Sequence, residues 1–470
     1  MGPTTIRPLA HNTSRRESLR EAFRLSWPIT LSFLLHAGYR VNDQYWIGDL
    51  GPDAQAAMGL TTFMLILNFS FLSIITSGVL ARVAFYTGSG QHEHVERTIG
   101  TACRAGILWF SLIGLIGWMT TSFWVQLAGG FGAPAVFAEE YLSTIYIVLP
   151  LIGFKPLIDC VFLGLGNTVM PMLLSFLSVA LNTALTPAMV YGLWGLPAMG
   201  MEGAAWSTGI SRGFCALLGL LALKKWFGLG GFLRQAFDFS ELKRVVRVGL
   251  PVGFSHAAYS GCFLAIMKTS VAPLGANVQA GLAVGFNGLE SVSYCGMMGP
   301  AMAASSIVGR RLGAKDYLGA KRGAMSCLGL SVGFALFTAA IFLLFGRNLA
   351  SWFTDDPGVL EEAVLYLAIV AFTQAATAAY STLQQMMTGA GRTLQMAYVS
   401  IAGNFVRIPI AWWFSAGLGF GATGIWWALN VGNILKLAAI YWLFRRMHLF
   451  SPPDDAEKDG PNSPATIPHS

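Results

Sequence analysis

Asp43 follows a mostly apolar run that begins at Leu25, and Tyr45, Trp46 and Ile47 come after it beyond Gln44. A carboxylate at the centre of a lipid-embedded helix costs roughly 2.5–3.5 kcal/mol, and less near an interface. Such an acid belongs inside a helical bundle. There, a carboxyl caught between desolvation and a nearby cation can take up and release a proton or another small cation. Ser32, His36, Tyr39, Arg40 and Asp43 recur at three- and four-residue steps and so share one helix face. Glu290 is a second such acid, with Asn287 and Tyr294 at the same spacings. Ser255, His256, Tyr259 and Ser260 make a comparable polar patch. Plainer explanations stand beside these. Asp43 and Arg40 can form a static bridge that lets both be inserted, and Glu290 can be held by Arg407, Lys268 or a backbone group. The histidines can be packed polar residues, and Asn182, Thr186 and Thr208 can be helix-packing hydrogen bonders. Lys155, Asp159, Arg212 and Lys436 are expected near the cytoplasmic ends of their helices.

The elements that position these residues are read from hydropathy. Of 470 residues, 54% are hydrophobic and 11% charged, against about 25% charged in soluble domains. Apolar runs of about 20 residues recur from Leu25 to Phe444 and predict about twelve transmembrane helices. The basic start, "MGPTTIRPLAHNTSRRESLREAFR", has no apolar core and is not read as a signal peptide. The Pro- and Ser-rich end is predicted to be a disordered tail. Lys and Arg gather at the N-terminus, around 224–247, around 310–322 and at Arg445 and Arg446, all on one side of a twelve-span chain. By the positive-inside rule that side, with both termini, is cytoplasmic. The net charge of +7 is therefore mainly a topology signal, and nucleic-acid binding is not expected. The six cysteines are scattered through apolar spans without metal-ligand spacing.

The chain is written twice. "DLGPDAQAAMGL" at 49–60 returns loosely as "PLGANVQAGLAV" at 273–284, "GLGNT" at 164–168 as "GAGRT" at 389–393, and "GAAW" at 203–206 as "GIWW" at 424–427. Asn182 and Pro187 return as Asn404 and Pro409. An even number of spans per copy makes this a parallel repeat about an axis along the membrane normal, two lobes facing a central cavity. The organisation expected is a cytoplasmic segment 1–24, an N-terminal lobe 25–223 of six helices, a cytoplasmic connection 224–247, a C-terminal lobe 248–446 of six helices, and the tail 447–470. "FDFSELKRVVRVG" in the connection is predicted to be a short capped helix on the cytoplasmic face. "GLGNT" and "GAGRT" are expected to be tight turns, since neither carries the Lys of a nucleotide-binding loop. The carboxylates do not repeat: Asp43 falls opposite Ile266 and Glu290 opposite Ile66. Each lobe is thus expected to have its own chemical task.

The ordered set "LSWPITLSFLLHAGYRVNDQYWIGDLG", "GLGNTVMPMLLSFLSVALNTALTP", "VGRRLGAKDYLGAKR" and "GAGRT…VRIPIAWW" resembles the multidrug and toxin extrusion (MATE) family over residues 20–445. The resemblance implies an all-α membrane protein with twelve helices in two pseudo-symmetric lobes around a V-shaped cavity. It implies export of organic cations or amphipathic compounds in exchange for protons or sodium ions. Asp43 matches the family's ion-coupling acid of the first helix, Asn182 and Thr208 the polar groups beside it, and Glu290 the eighth-helix acid of some members. Thr186 stands where many members carry a second acid, and Tyr259 where some carry one in helix seven.

These readings assign ion coupling in the N-terminal lobe to Asp43, Asn182, Thr186, Thr208, Arg40 and Tyr39. The C-terminal cavity is assigned to Glu290, Asn287, Tyr259, His256, Tyr294 and Arg407. With one N-lobe carboxylate missing and Arg40 beside the other, protons are favoured over a sodium ion at Asp43 and Asn182. No cofactor and no fixed metal are expected. The expected partners are a small organic cation or amphipathic compound and the lipid bilayer, with the protein a monomer on family precedent in a bacterial inner membrane. The alternative is a flippase for a lipid-linked or polyanionic substrate, kept open by Arg40, Lys268 and Arg407. An enzyme is not expected: "QHEHVE" at 91–96 lacks the zinc-protease spacing.

Overall fold

A computed structural model describes residues 14–451, with Arg40 and Val41 described in backbone only. The remainder of the predicted N-terminal segment and tail lies outside the described residues. Sixteen α-helices carry the fold. In the N-terminal lobe these are α1 (Arg15–Gly48), α2 (Pro52–Gly88), α3 (His92–Met119), α4 (Thr121–Leu127), α5 (Gly132–Ile147), α6 (Leu149–Gly164), α7 (Val169–Tyr191) and α8 (Gly200–Trp226). The C-terminal lobe has α9 (Phe239–Ile266), α10 (Ala276–Leu282), α11 (Ser291–Gly313), α12 (Tyr317–Ala350), α13 (Pro357–Ala371), α14 (Gln374–Gly389), α15 (Thr393–Trp412) and α16 (Gly421–Arg446). Seven helices are long and apolar enough to cross a membrane, or nine when each bent pair counts as one span. Helical stretches also occupy the other three predicted places, at α1, α10–α11 and α15. These three carry Asp43, Glu290 and Arg407, which lower their hydropathy.

The repeat is visible in the backbone. Gly51 (φ +109°) starts α2 and its counterpart Gly275 (φ +100°) starts α10, a conformation open to glycine and strained for other residues. The turns "GLGNT" and "GAGRT" pivot on Gly166 (φ +78°) and Gly391 (φ +71°). The fourth span of each lobe is broken at the same place, by 56° between α5 and α6 and by 58° between α13 and α14. One difference is marked. The C-terminal lobe contains π-helical turns at Met267–Val271, Ala283–Glu290 and Trp413–Gly417.

Ser14 and Glu17 form a reciprocal capping box that starts α1 ten residues before the predicted lobe boundary. The predicted surface helix at 237–249 is instead the first turns of α9, begun by the Asp238 side chain accepting from the Glu241 N–H at 3.0 Å.

The lobes meet in the half of the bundle that holds the start of α1 and the end of α16, called here the basic end. Backbones touch there because glycines leave room. A Cβ on Gly249 would lie 1.7 Å from the Ile74 carbonyl oxygen, and one on Gly88 1.7 Å from that of Arg310. Ala22, Leu25 and Ile29 of α1 share a core with Ala303 and Ile307 of α11 and Met386 of α14. Two ionic clusters clasp this seam. Glu241, 1% exposed, accepts from Arg82 Nε at 3.0 Å, Tyr86 at 3.1 Å and Thr98 at 3.0 Å. Glu21 takes Arg311 at 2.5 Å and Arg310 at 3.5 Å, and Asp316 holds Arg311 from its other side. Toward the opposite end, Lys268 Nζ donates to the Leu127 carbonyl at 2.9 Å on the rim.

Candidate functional site

In the N-terminal lobe, α1, α7 and α8 converge beyond the seam. Asp43 is 5% exposed. Its Oδ2 accepts from Thr208 at 3.3 Å, and its Oδ1 has no hydrogen-bond partner among the described residues. Asn182 Nδ2 donates to Thr208 and Ser207 at 3.2 Å each. The Thr186 hydroxyl bonds Ser207 at 2.8 Å and the Asn182 carbonyl at 2.8 Å. Four residues predicted from the sequence, Asp43, Asn182, Thr186 and Thr208, are thus brought into one network. Spacing explains much of this: Asn182 and Thr186 are one turn apart on α7, ahead of Pro187. Arg40 lies on α1, and the predicted bridge from its side chain to Asp43 lies outside the described residues.

Asn42 and Ser207 were missed. Asn42 Nδ2 donates to Asn182 Oδ1 at 2.9 Å and to Thr186 at 3.4 Å, while its own oxygen accepts from Trp46 Nε1 at 3.1 Å. The signal was present as an amide with aromatic residues three before and four after, Tyr39 and Trp46. One turn nearer the basic end, the Tyr39 hydroxyl bonds Ser178 and, at 3.2 Å, Ser211. Arg212 lies over the Tyr39 ring, 4.7 Å from its centroid.

Lys155 and Asp159 correct the sequence reading. Rather than reaching out of their helix end, they form an internal pair at 2.6 Å, with Lys155 1% exposed and also 2.6 Å from Ser175. Lys436 is likewise buried. Its Nζ bonds Asn404 at 3.2 Å and sits 4.7 Å from the Tyr380 ring centroid.

Glu290 in the C-terminal lobe is half-buried and held by two neutral donors, Tyr366 and, at 3.2 Å, Gln374 Nε2. The predicted cations do not pair with it. Arg407 is buried between α15 and α16, bonds Asn433 and crosses Gly432, while Lys268 is at the rim. Asn287 is exposed and off this cluster, a correction with a specific cause. Ala283–Glu290 is π-helical, and the wider turn puts residues three and four apart out of register. His256 also lies elsewhere. It faces Ser73 across the lobe seam at 3.3 Å and stacks on Phe69 at 5.8 Å. Tyr259 and Tyr294 are exposed and within electrostatic reach of each other.

Among the described residues, no group of three or more His, Cys, Asp or Glu could hold a metal ion. The oxygen atoms around Asp43 are neutral except its own. Asn182 Oδ1, the best further ligand for a cation, already accepts from Asn42. The arrangement can hold one exchangeable positive charge on the carboxylate.

Comparison with known proteins agrees with the geometry. The MatE family model matches residues 28–188 and 251–413, one match in each lobe. The probable multidrug resistance protein NorM of Rhizobium meliloti is 26% identical over 450 residues, spanning 91% of this chain and 93% of that protein. The multidrug resistance protein PmpM of Pseudomonas aeruginosa is 26% identical over 478 residues, 96% of this chain and 97% of its own length. Among solved structures, an outward-facing MATE-family transporter of the MOP superfamily superposes with a TM-score of 0.83 at 19% identity, covering 93% of this chain and 98% of that one. A matched domain in each lobe, full-length relatives and the two-lobe helical fold establish that this chain belongs to the MatE family, the multidrug and toxin extrusion transporters.

Proposed function

We propose that this chain is a secondary active antiporter that exports organic cations or amphipathic drugs in exchange for protons. In this reading both termini are cytoplasmic, the membrane is a bacterial inner membrane and the protein works as a monomer. The observation that carries it is Asp43, a buried carboxylate with one oxygen bonded to Thr208 and the other without a described partner. A buried acceptor left unpaired costs about 1–3 kcal/mol, and more when charged. A proton on that oxygen, or a cation beside it, removes that cost.

The exchange follows from competition for this charge. In this proposal Asp43 takes up its proton from the external side while the seam at the basic end is closed. Protonation there removes the negative charge that favours a cationic drug, and the drug leaves. The drug weakens proton binding by the same factor, as linkage requires. Protons are favoured over sodium because the pocket offers one carboxylate and Asn182 Oδ1 is already engaged. The flippase alternative loses support, since of its three basic residues Arg407 is packed inside its lobe against Asn433 and Lys268 is bonded to the Leu127 carbonyl at the rim.

The test is dissipation of a pH gradient in inverted membrane vesicles. Adding ethidium should discharge an acid-inside gradient when the wild-type protein is present and leave it intact with Asp43→Asn. Full discharge by the variant, or exchange driven by a sodium gradient alone, defeats the proposal.

A further inference from the structure

The mechanism so far leaves a buried ion pair unused. Lys155 and Asp159 lie inside the N-terminal lobe, between Asp43 and the basic end, and Asp159 Oδ1 has no hydrogen-bond partner among the described residues. Polar side chains lead to them at helical spacing. On α1 these are Asp43, Tyr39 and His36. On α7 they are Asn182, Ser178 and Ser175, and on α8 Thr208 and Ser211. Each of these steps is three or four residues, so the groups stack along one internal line.

The line is organised as three bonded clusters. The outermost joins Asp43 to Thr208 and Asn182. The middle one joins Tyr39 to Ser178 and Ser211. The innermost joins Lys155 to Ser175 and Asp159. Successive clusters are about one helical turn apart, about 5.4 Å, a gap that one bridging water spans. The charged and titratable groups around Asp159 are Lys155 and Cys160 on its own helix, Arg212 and Cys215 on α8, and His36 and Tyr39 on α1. The nearby groups from α2 and α7, Thr76 and Ser175, are hydroxyls.

We infer that Asp159 is a second proton station of the N-terminal lobe, reached from Asp43 through the Tyr39 hydroxyl cluster. The coupling proton then leaves through the lobe interior to the basic end and does not return through the cleft. This rests on the antiport reading above. In one passage an O–H bond on Asp43 breaks and one on Asp159 forms. Each hydroxyl between them accepts a proton and hands on its own, so none is changed at the end. Lys155 remains an ammonium throughout. The arriving proton displaces its hydrogen bond to Asp159, and the bond to Ser175 holds it meanwhile. Asp159 thereby supplies the second N-lobe carboxylate that Thr186 does not.

The test uses the full chain in proteoliposomes and three measurements: ethidium affinity, ethidium–ethidium exchange without a gradient, and ethidium transport driven by an imposed pH gradient. Asp159→Asn is expected to keep affinity and exchange within about twofold of wild type while driven transport falls tenfold or more, and Asp159→Glu should restore it. Because Asp159→Asn leaves Lys155 buried without its partner, the double change Lys155→Gln with Asp159→Asn is measured beside it and should show the same split. Driven transport at the wild-type rate in either variant overturns the inference. So does a parallel loss of all three activities in Asp159→Asn that the double change repairs, which marks a purely structural ion pair. Wild-type protein that exchanges ethidium yet ignores the pH gradient defeats the antiport reading itself, and the inference with it.

Discussion

Replacing Glu241 with Gln should open the basic end of the transporter. Glu241 belongs to α9, whereas its donors Arg82, Tyr86 and Thr98 belong to α2 and α3, so these bonds exist only while the lobes are closed at that end. The Arg82 and Glu241 side chains are 6% and 2% exposed, so solvent screening takes little from the pair. Removing one partner of such a buried pair costs about 3–5 kcal/mol. In the open arrangement both groups meet water and the change costs little. At about 1.4 kcal/mol per factor of ten, the balance between closed and open seams should move by about a hundredfold to a few thousandfold. A population of about 1% open becomes roughly half open or more. The assay is a spin-label distance measurement with labels introduced by Gln91→Cys and Lys315→Cys, at the basic-end turns of the two lobes, with the six native cysteines replaced by alanine. Glu241→Gln should move a large share of the distribution to a longer separation. An unchanged distribution, in a variant that still binds ethidium, would refute the idea that this cluster holds the seam.

Two further outcomes follow from the packing. Gly249→Val places side-chain atoms against the Ile74 carbonyl and should lengthen the same label pair while leaving each lobe helical by circular dichroism. Tyr366→Phe removes one of the two donors that hold Glu290. It should lower the stability of the purified protein by about 1–3 kcal/mol. In a Glu290→Gln background the same change should cost much less, a coupling that thermal unfolding of the four proteins measures.

Much of the architecture was legible because it repeats. Ordered matches at a nearly constant offset required two lobes of one plan, and the equivalent breaks at α5–α6 and α13–α14 bear this out. The Asp43 network was legible where residues one turn apart share a face, as with Asn182 and Thr186. What stayed hidden depends on how neighbouring helices are rotated against one another. Tyr366 meets Glu290 from α13, and no pattern within either helix announces it. Lys155 and Asp159 read as charges bound for water, since periodicity does not reveal that Ser175 waits inside the lobe. Asn287 misled for another reason: the π-helical stretch changed the angular step on which the spacing argument relied.

Those widened turns make the two halves mechanically unequal. All three lie in the C-terminal lobe, toward the end away from the seam. The counterparts of the first two, at 44–48 and 59–66, are α-helical within α1 and α2, and that of the third, at 191–195, is the end of α7 and the 3-10 turn that follows it. A π turn spaces its backbone hydrogen bonds less favourably and can relax to the α form by shifting one residue along the chain. In the transport cycle proposed above, this makes the C-terminal wall the pliant one, suited to cargo of different outline. The N-terminal wall, by the same proposal, keeps the fixed geometry that reading a single charge demands.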